Sequence, residues 1–496
     1  MSERPNIVII MSDQQRADVS AREGFALDTT PFLDSLATEG AWFNRAYTSM
    51  PACLPARVSM LTGRYPGATR ARTNHNEEDA TYEQDLYQLM REAGYRTALC
   101  GKNHSHVGPD DMDHYFPLGH HGGFGPQRAP AEVAFDDYLA GLRHRADFNP
   151  APGGVEVQCP YRAVSSAIDF VDSAAEDPFF LWLSFPEPHN PYQAPEPYFS
   201  LFPPETLPPT LSDVSALEGK SFKYRWLRQI GETAFPDYAE QLPQARSNYF
   251  AILRLIDDQV RRFVEHLDGR GLRENTLLFF LSDHGDYVGE YGLVRKGAEL
   301  PEVLARIPFQ VCGPGIQANA GPHEAHVSIV DILPTICEAT GIPVPDGVQG
   351  RSLWPLLSGD DWPREEFASA YAEQGFGGLH YREDDDFDPQ QDGFHPAISF
   401  DELNGWTQSG NMRMLRRGDW KLLFDMQGRG QLYNLAQDPV ELNDLYDDPA
   451  CAAIRSELLA ELLAWTLRAQ DPLPHPRRRY RFKSDPRNYW SPYRDN

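Results

Sequence analysis

A short stretch of the chain places a nucleophilic side chain just before a predicted helix. It consists of Cys53-Leu54-Pro55-Ala56-Arg57 and continues as Val58-Ser59-Met60-Leu61-Thr62-Gly63-Arg64. Pro55 suits the first turn of a helix, and a helix start offers free backbone N–H groups and a positive dipole to an anion. The stretch therefore predicts a nucleophile, Cys53, and a cation, Arg57, beside an anion-binding helix start.

Polar side chains follow four predicted buried strands. These strands cover residues 6–11, 96–100, 179–185 and 276–281. The side chains that follow them are Asp13 and Gln14, Lys102 and His104, His189, and Asp283 and His284, with Lys296 a little further along. Because ligands gather at the carboxyl ends of strands in parallel α/β sheets, we predict that these side chains meet.

The types of these side chains point to particular chemistry, although each also has a plain structural explanation. Asp13 and Gln14 are candidate metal ligands, but an aspartate after a strand also caps turns. Lys102 and His104 are two positions apart and share one side of an extended stretch. His189 lies among three prolines that restrict the backbone, which suits a positioned acid or base as well as a packed loop histidine.

The elements that would carry these residues alternate between helix and strand. Helices are predicted at 30–37, 86–93, 161–174 and 249–267, each with apolar residues at helical spacing. The segment 110–154 is predicted to be a loop on the substrate side, with His114, His120 and His121 beside two glycines. Its histidine spacing imposes no metal geometry.

The amino-acid composition of the chain changes near residue 360. An acidic, glycine-rich insertion is predicted at Tyr381–Gly393, followed by three strands and a helix over 454–467. The strands are predicted at 412–415, 420–424 and 431–435. The basic and aromatic tail 477–496 is expected to dock on the acidic body or on a neighbouring subunit rather than on nucleic acid.

Composition limits the partners and the compartment. The chain has 496 residues and a net charge of −27, which disfavours nucleic-acid binding. No run approaches the roughly 20 apolar residues of a membrane span, so no membrane partner is expected. Six scattered cysteines and an N-terminus without a signal-peptide pattern predict reduced thiols and a cytoplasmic location. A monomer and a homo-oligomer both remain open.

Taken together and in this order, the motifs resemble those of the type I sulfatases of the alkaline phosphatase superfamily. The resemblance covers roughly residues 5–450. It implies a large mixed, mainly parallel sheet between helices and a smaller C-terminal antiparallel sheet with a helix. We accordingly predict a catalytic domain at 1–360 and a C-terminal subdomain at 361–496.

The resemblance also implies a mechanism for sulfate ester hydrolysis. Cys53 would be converted by a maturation enzyme to formylglycine, whose hydrated diol attacks sulfur. One divalent metal, Ca²⁺ by preference with Mg²⁺ or Mn²⁺ as alternatives, would be held by Asp13, Gln14, Asp283 and His284. The remaining catalytic roles fall to Arg57 (orienting the diol), Lys102 and Lys296 (binding sulfate), His189 (protonating the leaving alcohol) and His104 (assisting collapse of the intermediate).

Two departures from the common sulfatase pattern, at Gln14 and Asn74, keep alternatives open. Gln14 stands where most sulfatases have aspartate, and together with His284 and Asn74, a candidate substrate-binding residue, it resembles the phosphonate and phosphodiester monoester hydrolases. Lys102 and His104 favour a sulfatase instead. A non-catalytic binding protein would follow if Cys53 stayed a thiol. The acidic run Asp384–Asp386 favours a small or sparingly sulfated substrate, such as a carbohydrate, aryl or alkyl sulfate.

Overall fold

The computed structural model describes residues 4–174, 177–319, 321–376, 380–388, 406–470 and 490. Its strands form one sheet of eight, one of four and one pair. The strands are β1 (Asn6–Asp13), β2 (Ala41–Phe43), β3 (Ala46–Tyr47), β4 (Arg96–Gly101), β5 (His114–Gly119), β6 (Gly122–Gly123), β7 (Phe179–Pro188), β8 (Thr276–Ser282), β9 (Phe309–Cys312), β10 (Val327–Ser328), β11 (Ser369–Gln374), β12 (Met412–Arg417), β13 (Trp420–Asp425) and β14 (Gly430–Asn434).

The eight-stranded sheet is mixed but mainly parallel. Its strand order is β2-β9-β8-β1-β7-β4-β5-β6. The five strands β8, β1, β7, β4 and β5 run parallel to one another, whereas β9, β2 and β6 pair in the antiparallel sense. The predicted fold class is therefore confirmed.

Strand β1 is buried on both faces. Val8 and Ile10 pack into one hydrophobic core, and Ile7, Ile9 and Met11 pack into another on the opposite face. This alternation follows from the two-residue period of a strand. Because burying one such side chain stabilises the fold by about 1.5–3 kcal/mol, β1 is held firmly from both sides.

Helices cover both faces of the eight-stranded sheet. They are α1 (Pro31–Ala37), α2 (Cys53–Thr62), α3 (Pro66–Thr69), α4 (Leu86–Glu92), α5 (Pro130–Leu142), α6 (Cys159–Ala174), α7 (Phe222–Ala234), α8 (Tyr238–Gly269), α9 (Glu302–Ala305), α10 (Ile332–Thr340), α11 (Trp354–Ser358) and α12 (Ala452–Ala469). Helices α1, α5, α6 and α8 share the core with Val8 and Ile10. Helices α2, α4 and α10 share the core with Ile7 and Met11.

Four neighbouring parallel strands end at the same edge of the sheet. β1 ends at Asp13, and the ends of β4, β7 and β8 are followed directly by Lys102, His189 and Asp283. The predicted convergence of chemically active residues follows from this topology, since parallel strands present their carboxyl ends together.

The four-stranded sheet is antiparallel, in the order β11-β12-β13-β14. Helix α12 packs on it, and Leu415 and Leu422 belong to the same core as Met11. The predicted small C-terminal sheet and helix are thus confirmed. The division at residue 360 stays a prediction.

The prediction of a loop over residues 110–154 is wrong for much of its length. The segment contains β5, β6 and α5. β5 is added to the sheet edge by parallel pairing with β4, where Leu99 lies opposite Tyr115. This pairing is non-local, so the sequence of the segment itself carried little sign of it.

All six cysteines are free thiols in the structure, and five of them are buried. Within the described residues, no helix is both long and apolar enough to cross a membrane. The cytoplasmic location stays a prediction. The predicted tail at 477–496, apart from Trp490, and the second part of the Tyr381–Gly393 insertion lie outside the described residues.

Candidate active site

Cys53 is the first residue of α2 and is buried. The preceding residue, Ala52, is extended and makes no side-chain cap. Asn74 supplies a cap instead, because its Oδ1 accepts a hydrogen bond from the Leu54 N–H at 3.1 Å. The structure therefore places Asn74 at the helix start that presents Cys53, where it satisfies one of the free amide donors.

Two carboxylates and one imidazole surround Cys53. Its Sγ lies 3.7 Å from Asp13 Oδ1 and 3.3 Å from His284 Nε2. Asp283 completes the group, and one potential ligand atom from each of these four residues lies within 4.8 Å of the others. All four residues are buried.

This group fits a divalent cation. Burial and the nearby Asp13 carboxylate raise the pKa of Asp283, which means that two buried negative charges oppose each other there. A divalent ion would offset that repulsion, and carboxylate oxygens with one imidazole suit Ca²⁺, Mg²⁺ or Mn²⁺. The donor set therefore agrees with the predicted metal site, although it leaves the identity of the ion open.

Gln14 lies beside this group in an unusual backbone conformation. Its φ of 72° is in the left-handed region, which non-glycine residues seldom adopt. Its backbone N–H donates to Asp283 Oδ1 at 3.0 Å, and its side-chain Oε1 accepts from Lys296 Nζ at 3.0 Å. The turn after β1 thus brings Gln14 to Asp283 and Lys296, two of the residues predicted to lie in the same site.

Arg57 forms hydrogen bonds with both carboxylates of this group, those of Asp13 and Asp283. Its Nε donates to Asp283 at 2.9 Å and its Nη2 donates to Asp13 at 3.2 Å. Its Nη1 donates to Ser184 Oγ at 2.8 Å, and its guanidinium lies over the ring of Trp182. Arg57 is fully buried, so its geometry is that of a fixed cation that orients both acids.

Two lysines and two histidines line the other side of the site. Lys102 Nζ donates to Asp13 and lies 2.8 Å from His120 Nε2. Lys296 Nζ lies 3.1 Å from His189 Nε2. The rings of His120 and His189 are stacked, with centroids 3.7 Å apart. Five separate segments of the chain meet here, and they contribute Asp13, Lys102, His120, His189 and Lys296.

His104 occupies a more peripheral position than the other predicted site residues. Its Nε2 lies 3.1 Å from the Asn74 carbonyl oxygen. It is therefore linked to Cys53 through Asn74 and the start of α2, and it is not among the groups that contact the Cys53 thiol in the structure.

The sequence pattern of the Sulfatase family matches residues 5–342, which is more than half of the chain. The chain belongs to the sulfatase family. Membership of this family confirms the predicted enzyme class, a sulfuric ester hydrolase. The matched range contains every predicted site residue from Asp13 to Lys296.

Curated relatives resemble this sulfatase over most of its length. An arylsulfatase of Clostridium perfringens is 29% identical over 475 residues, covering 89% of this chain and 90% of its own. A choline-sulfatase of Rhizobium meliloti is 27% identical over 480 residues, covering 90% and 83%. The solved structure of a phosphonate monoester hydrolase of Agrobacterium radiobacter superposes with a TM-score of 0.76 at 23% identity, covering 94% and 96%. The last similarity concerns the fold alone.

The cations of this sulfatase determine the electrostatics at position 53. Burial raises the pKa of a thiol, and the Asp13 carboxylate acts in the same direction. Lys102, Lys296 and His284 outweigh both and hold the pKa of Cys53 well below its usual range. The site therefore stabilises negative charge at this position, as an anionic ester and its developing transition state require.

Two residues that the structure places in or beside the site, His120 and Asp286, were not predicted to belong to it. His120 was assigned to the loop at 110–154, and no local signal distinguished it from His114 and His121. Asp286 accepts hydrogen bonds from Gln14 Nε2 at 2.6 Å and from the Tyr192 hydroxyl at 2.7 Å. Its position directly after Asp283-His284-Gly285 was the available clue.

Proposed function

We propose that this sulfatase hydrolyses a small sulfate monoester with formylglycine at position 53 as the nucleophile. The position of Cys53 is the main support for this proposal. Cys53 is buried at a helix start between Asp13 and His284, and the positive charges of Lys102 and Lys296 lower its pKa. In the structure this residue is the unmodified cysteine, and its Sγ stands where an oxygen of formylglycine would lie. A maturation enzyme is therefore part of the proposal.

Asp13, Gln14, Asp283 and His284 would hold the divalent metal. Ca²⁺ is the preferred ion because most of the donors are oxygens, and Mg²⁺ and Mn²⁺ are alternatives. When bound, the ion supplies positive charge that polarises a sulfate oxygen and lowers the pKa of the attacking hydroxyl. Arg57 keeps both carboxylates in place for this role.

The chain's own residues account for each proton and bond of the first step. One hydroxyl of the formylglycine diol gives its proton to Asp13 and forms a bond to sulfur, while the ester S–O bond breaks. His189 would protonate the departing alcohol oxygen. Its Nδ1 donates to the Asn190 carbonyl at 2.8 Å, so Nε2 is the nitrogen that faces the site. Because Lys296 Nζ lies 3.1 Å from Nε2 and only donates, the ester must take up the Lys296 ammonium group before Nε2 can carry that proton. Lys102 and Lys296 would bind the sulfate oxygens.

The second step releases sulfate without a further nucleophile. The remaining hydroxyl loses its proton to a base, for which His104 is the candidate, and the carbon–oxygen bond to sulfate breaks as the aldehyde forms. Addition of water to the aldehyde restores the diol. An ordinary serine lacks the second hydroxyl and has no such route.

The mass of the tryptic peptide 46–57, which contains Cys53, tests this proposal. Protein made with a maturation enzyme should yield a peptide that has lost H₂S and gained one oxygen relative to the thiol form. The same preparation should hydrolyse aryl sulfates, and Cys53→Ala should not. A peptide that stays entirely thiol after co-expression would favour the non-catalytic binding protein.

A phosphonate or phosphodiester monoester hydrolase is the second candidate. The observation that favours it is Gln14, whose neutral side-chain amide lies between Asp286 and Lys296 at a position where most sulfatases have aspartate. Rates on matched aryl esters distinguish the two functions, with a sulfate monoester, a phosphonate monoester and a phosphate diester sharing one leaving group. Our proposal requires the highest kcat/KM on the sulfate. Choline sulfate and a sulfated monosaccharide extend the same panel to small natural esters.

A further inference from the structure

His120 lies at the tip of a tight hairpin. Strands β5 and β6 pair Leu118 with Gly123 and Gly119 with Gly122, which leaves His120 and His121 as the two connecting residues. The hairpin extends from the sheet edge toward the site. Its tip brings the His120 ring to Lys102 on one side and to His189 on the other.

A buried ion-pair network holds this hairpin in place. The Asp136 carboxylate accepts a hydrogen bond from the Gly123 N–H at 3.1 Å and pairs with Arg162 at 2.7 Å and with Arg128 at 2.8 Å. Gly122 has a φ of +88°, and a Cβ there would lie 1.7 Å from an Asp136 oxygen. The tip can approach the site in this way because glycine occupies position 122.

The hydrogen bond from Lys102 determines the protonation state of His120. An ammonium group only donates, so His120 Nε2 must be the accepting, unprotonated nitrogen and Nδ1 carries the proton. Burial and the Lys102 charge lower the pKa of His120 well below its usual range, in agreement with a neutral ring. Lys102 Nζ is thereby held between His120 and Asp13.

We propose that His120 is a fourth histidine of the active site, a positioning residue that holds the Lys102 ammonium in place for the sulfate group and keeps the His189 ring in its stacked orientation. This role rests on the proposed function, because it acts through two residues assigned to sulfate hydrolysis. Without His120, the Lys102 ammonium group would lose one of the two side chains that orient it and would keep its contact with Asp13.

Two substitutions distinguish the role of His120 Nε2 from that of Nδ1. His120→Gln places an amide oxygen near the position of Nε2 and keeps an acceptor for Lys102, whereas His120→Asn reaches only the position of Nδ1. We expect His120→Asn and His120→Ala to lower kcat/KM for an aryl sulfate by about 10- to 100-fold, the effect of one charge-assisted hydrogen bond. His120→Gln should recover most of that loss, and inhibition by inorganic sulfate should weaken in the same order.

His121→Ala is the matched control, since His121 shares the turn and its ring neighbours His144 instead of Lys102. It should keep wild-type kcat/KM. Formylglycine content and thermal unfolding are measured for each variant, so that loss of maturation or of the hairpin is separated from loss of positioning. His120→Gln activity no better than His120→Ala activity would overturn the inference, as would a wild-type rate for His120→Asn.

A double-mutant cycle with Lys102→Met keeps the inference testable if one variant folds poorly. Coupling through Lys102 predicts that His120→Ala costs less than about threefold when Lys102 is already absent. Equal costs in both backgrounds would overturn it. Failure of the proposed function is distinguishable, because wild-type protein with verified formylglycine would then hydrolyse no sulfate ester at all.

Discussion

The Gln14 side-chain amide donates a 2.6 Å hydrogen bond to the Asp286 carboxylate. This contact fixes the amide orientation, so that its nitrogen faces Asp286 and its oxygen faces Lys296. Asp286 is itself held by the Tyr192 hydroxyl and by the backbone N–H groups of Val288 and Arg295. The neutral amide of Gln14 therefore complements the Asp286 carboxylate, because the amide supplies the donor that the carboxylate accepts.

Gln14→Glu should therefore weaken metal binding, although glutamate has nearly the same shape. The change would place two carboxylates in hydrogen-bond contact, and one of them would have to take up a proton or move. We expect about 10- to 100-fold weaker Ca²⁺ binding by calorimetric titration of chelator-treated protein. Adding Asp286→Asn should recover much of this affinity by restoring a donor–acceptor pair, and two purely additive losses would contradict the matching.

Arg57→Lys should destabilise the protein strongly even though the positive charge is kept. Lysine has no planar fork and cannot donate to Asp13 and Asp283 at once. Breaking a fully buried ion pair of this kind costs about 3–5 kcal/mol of unfolding free energy. Urea unfolding in chelator and in excess Ca²⁺ measures this cost, and the ion should restore part of the loss. Unchanged stability in chelator would show that Arg57 does not hold the acids.

His189→Ala should slow hydrolysis most for esters with poor leaving groups. A general acid matters more as the leaving alcohol becomes more basic. A series of aryl and alkyl sulfates should show a steeper dependence of kcat/KM on the leaving-group pKa in the variant than in the wild type. Lys296→Met serves as the comparison, because losing a sulfate-binding cation should lower all rates by a similar factor. An equal loss across the series for His189→Ala would argue against its role as the acid.

Glu187 should make stability depend on pH. It is 7% exposed, and burial raises its pKa to about 8. Because the pKa is higher in the folded state than in the unfolded state, the stabilising contribution is complete below about pH 4.5. It is lost as the pH rises toward about 8, by at most about 1.4 kcal/mol per pH unit.

Urea unfolding of wild type and Glu187→Gln across this pH range tests the effect. The unfolding free energy of the wild type, relative to that of the variant, should fall as the pH rises and level off above about pH 8. The variant keeps a hydrogen-bonding group of similar size, which controls for packing. A difference that stays constant with pH would mean that Glu187 is ionised in the folded protein throughout.

Much of the site followed from local sequence patterns. Apolar runs ending in Asp13, Lys102, His189 and Asp283 predicted buried parallel strands, and such strands must end at one edge. The helix was predicted just after Cys53, since the first-turn proline Pro55 is a local feature, and in the structure it begins at Cys53 itself. These patterns lie within a few residues of the side chains that they position, and the resemblance to the sulfatases supplied the roles.

Other parts of the site depend on contacts between distant segments. His120 reaches Lys102 because β5 pairs with β4 and an ion pair from Asp136 to Arg162 braces the hairpin. Asp286 reaches Gln14 across 272 residues of sequence. The sequence by itself determined which strand ends and which helix start hold the chemically active side chains, because periodicity and turn residues act locally. Only the tertiary structure decided which side chains touch, because strand pairing and buried ion pairs form between residues far apart in the sequence.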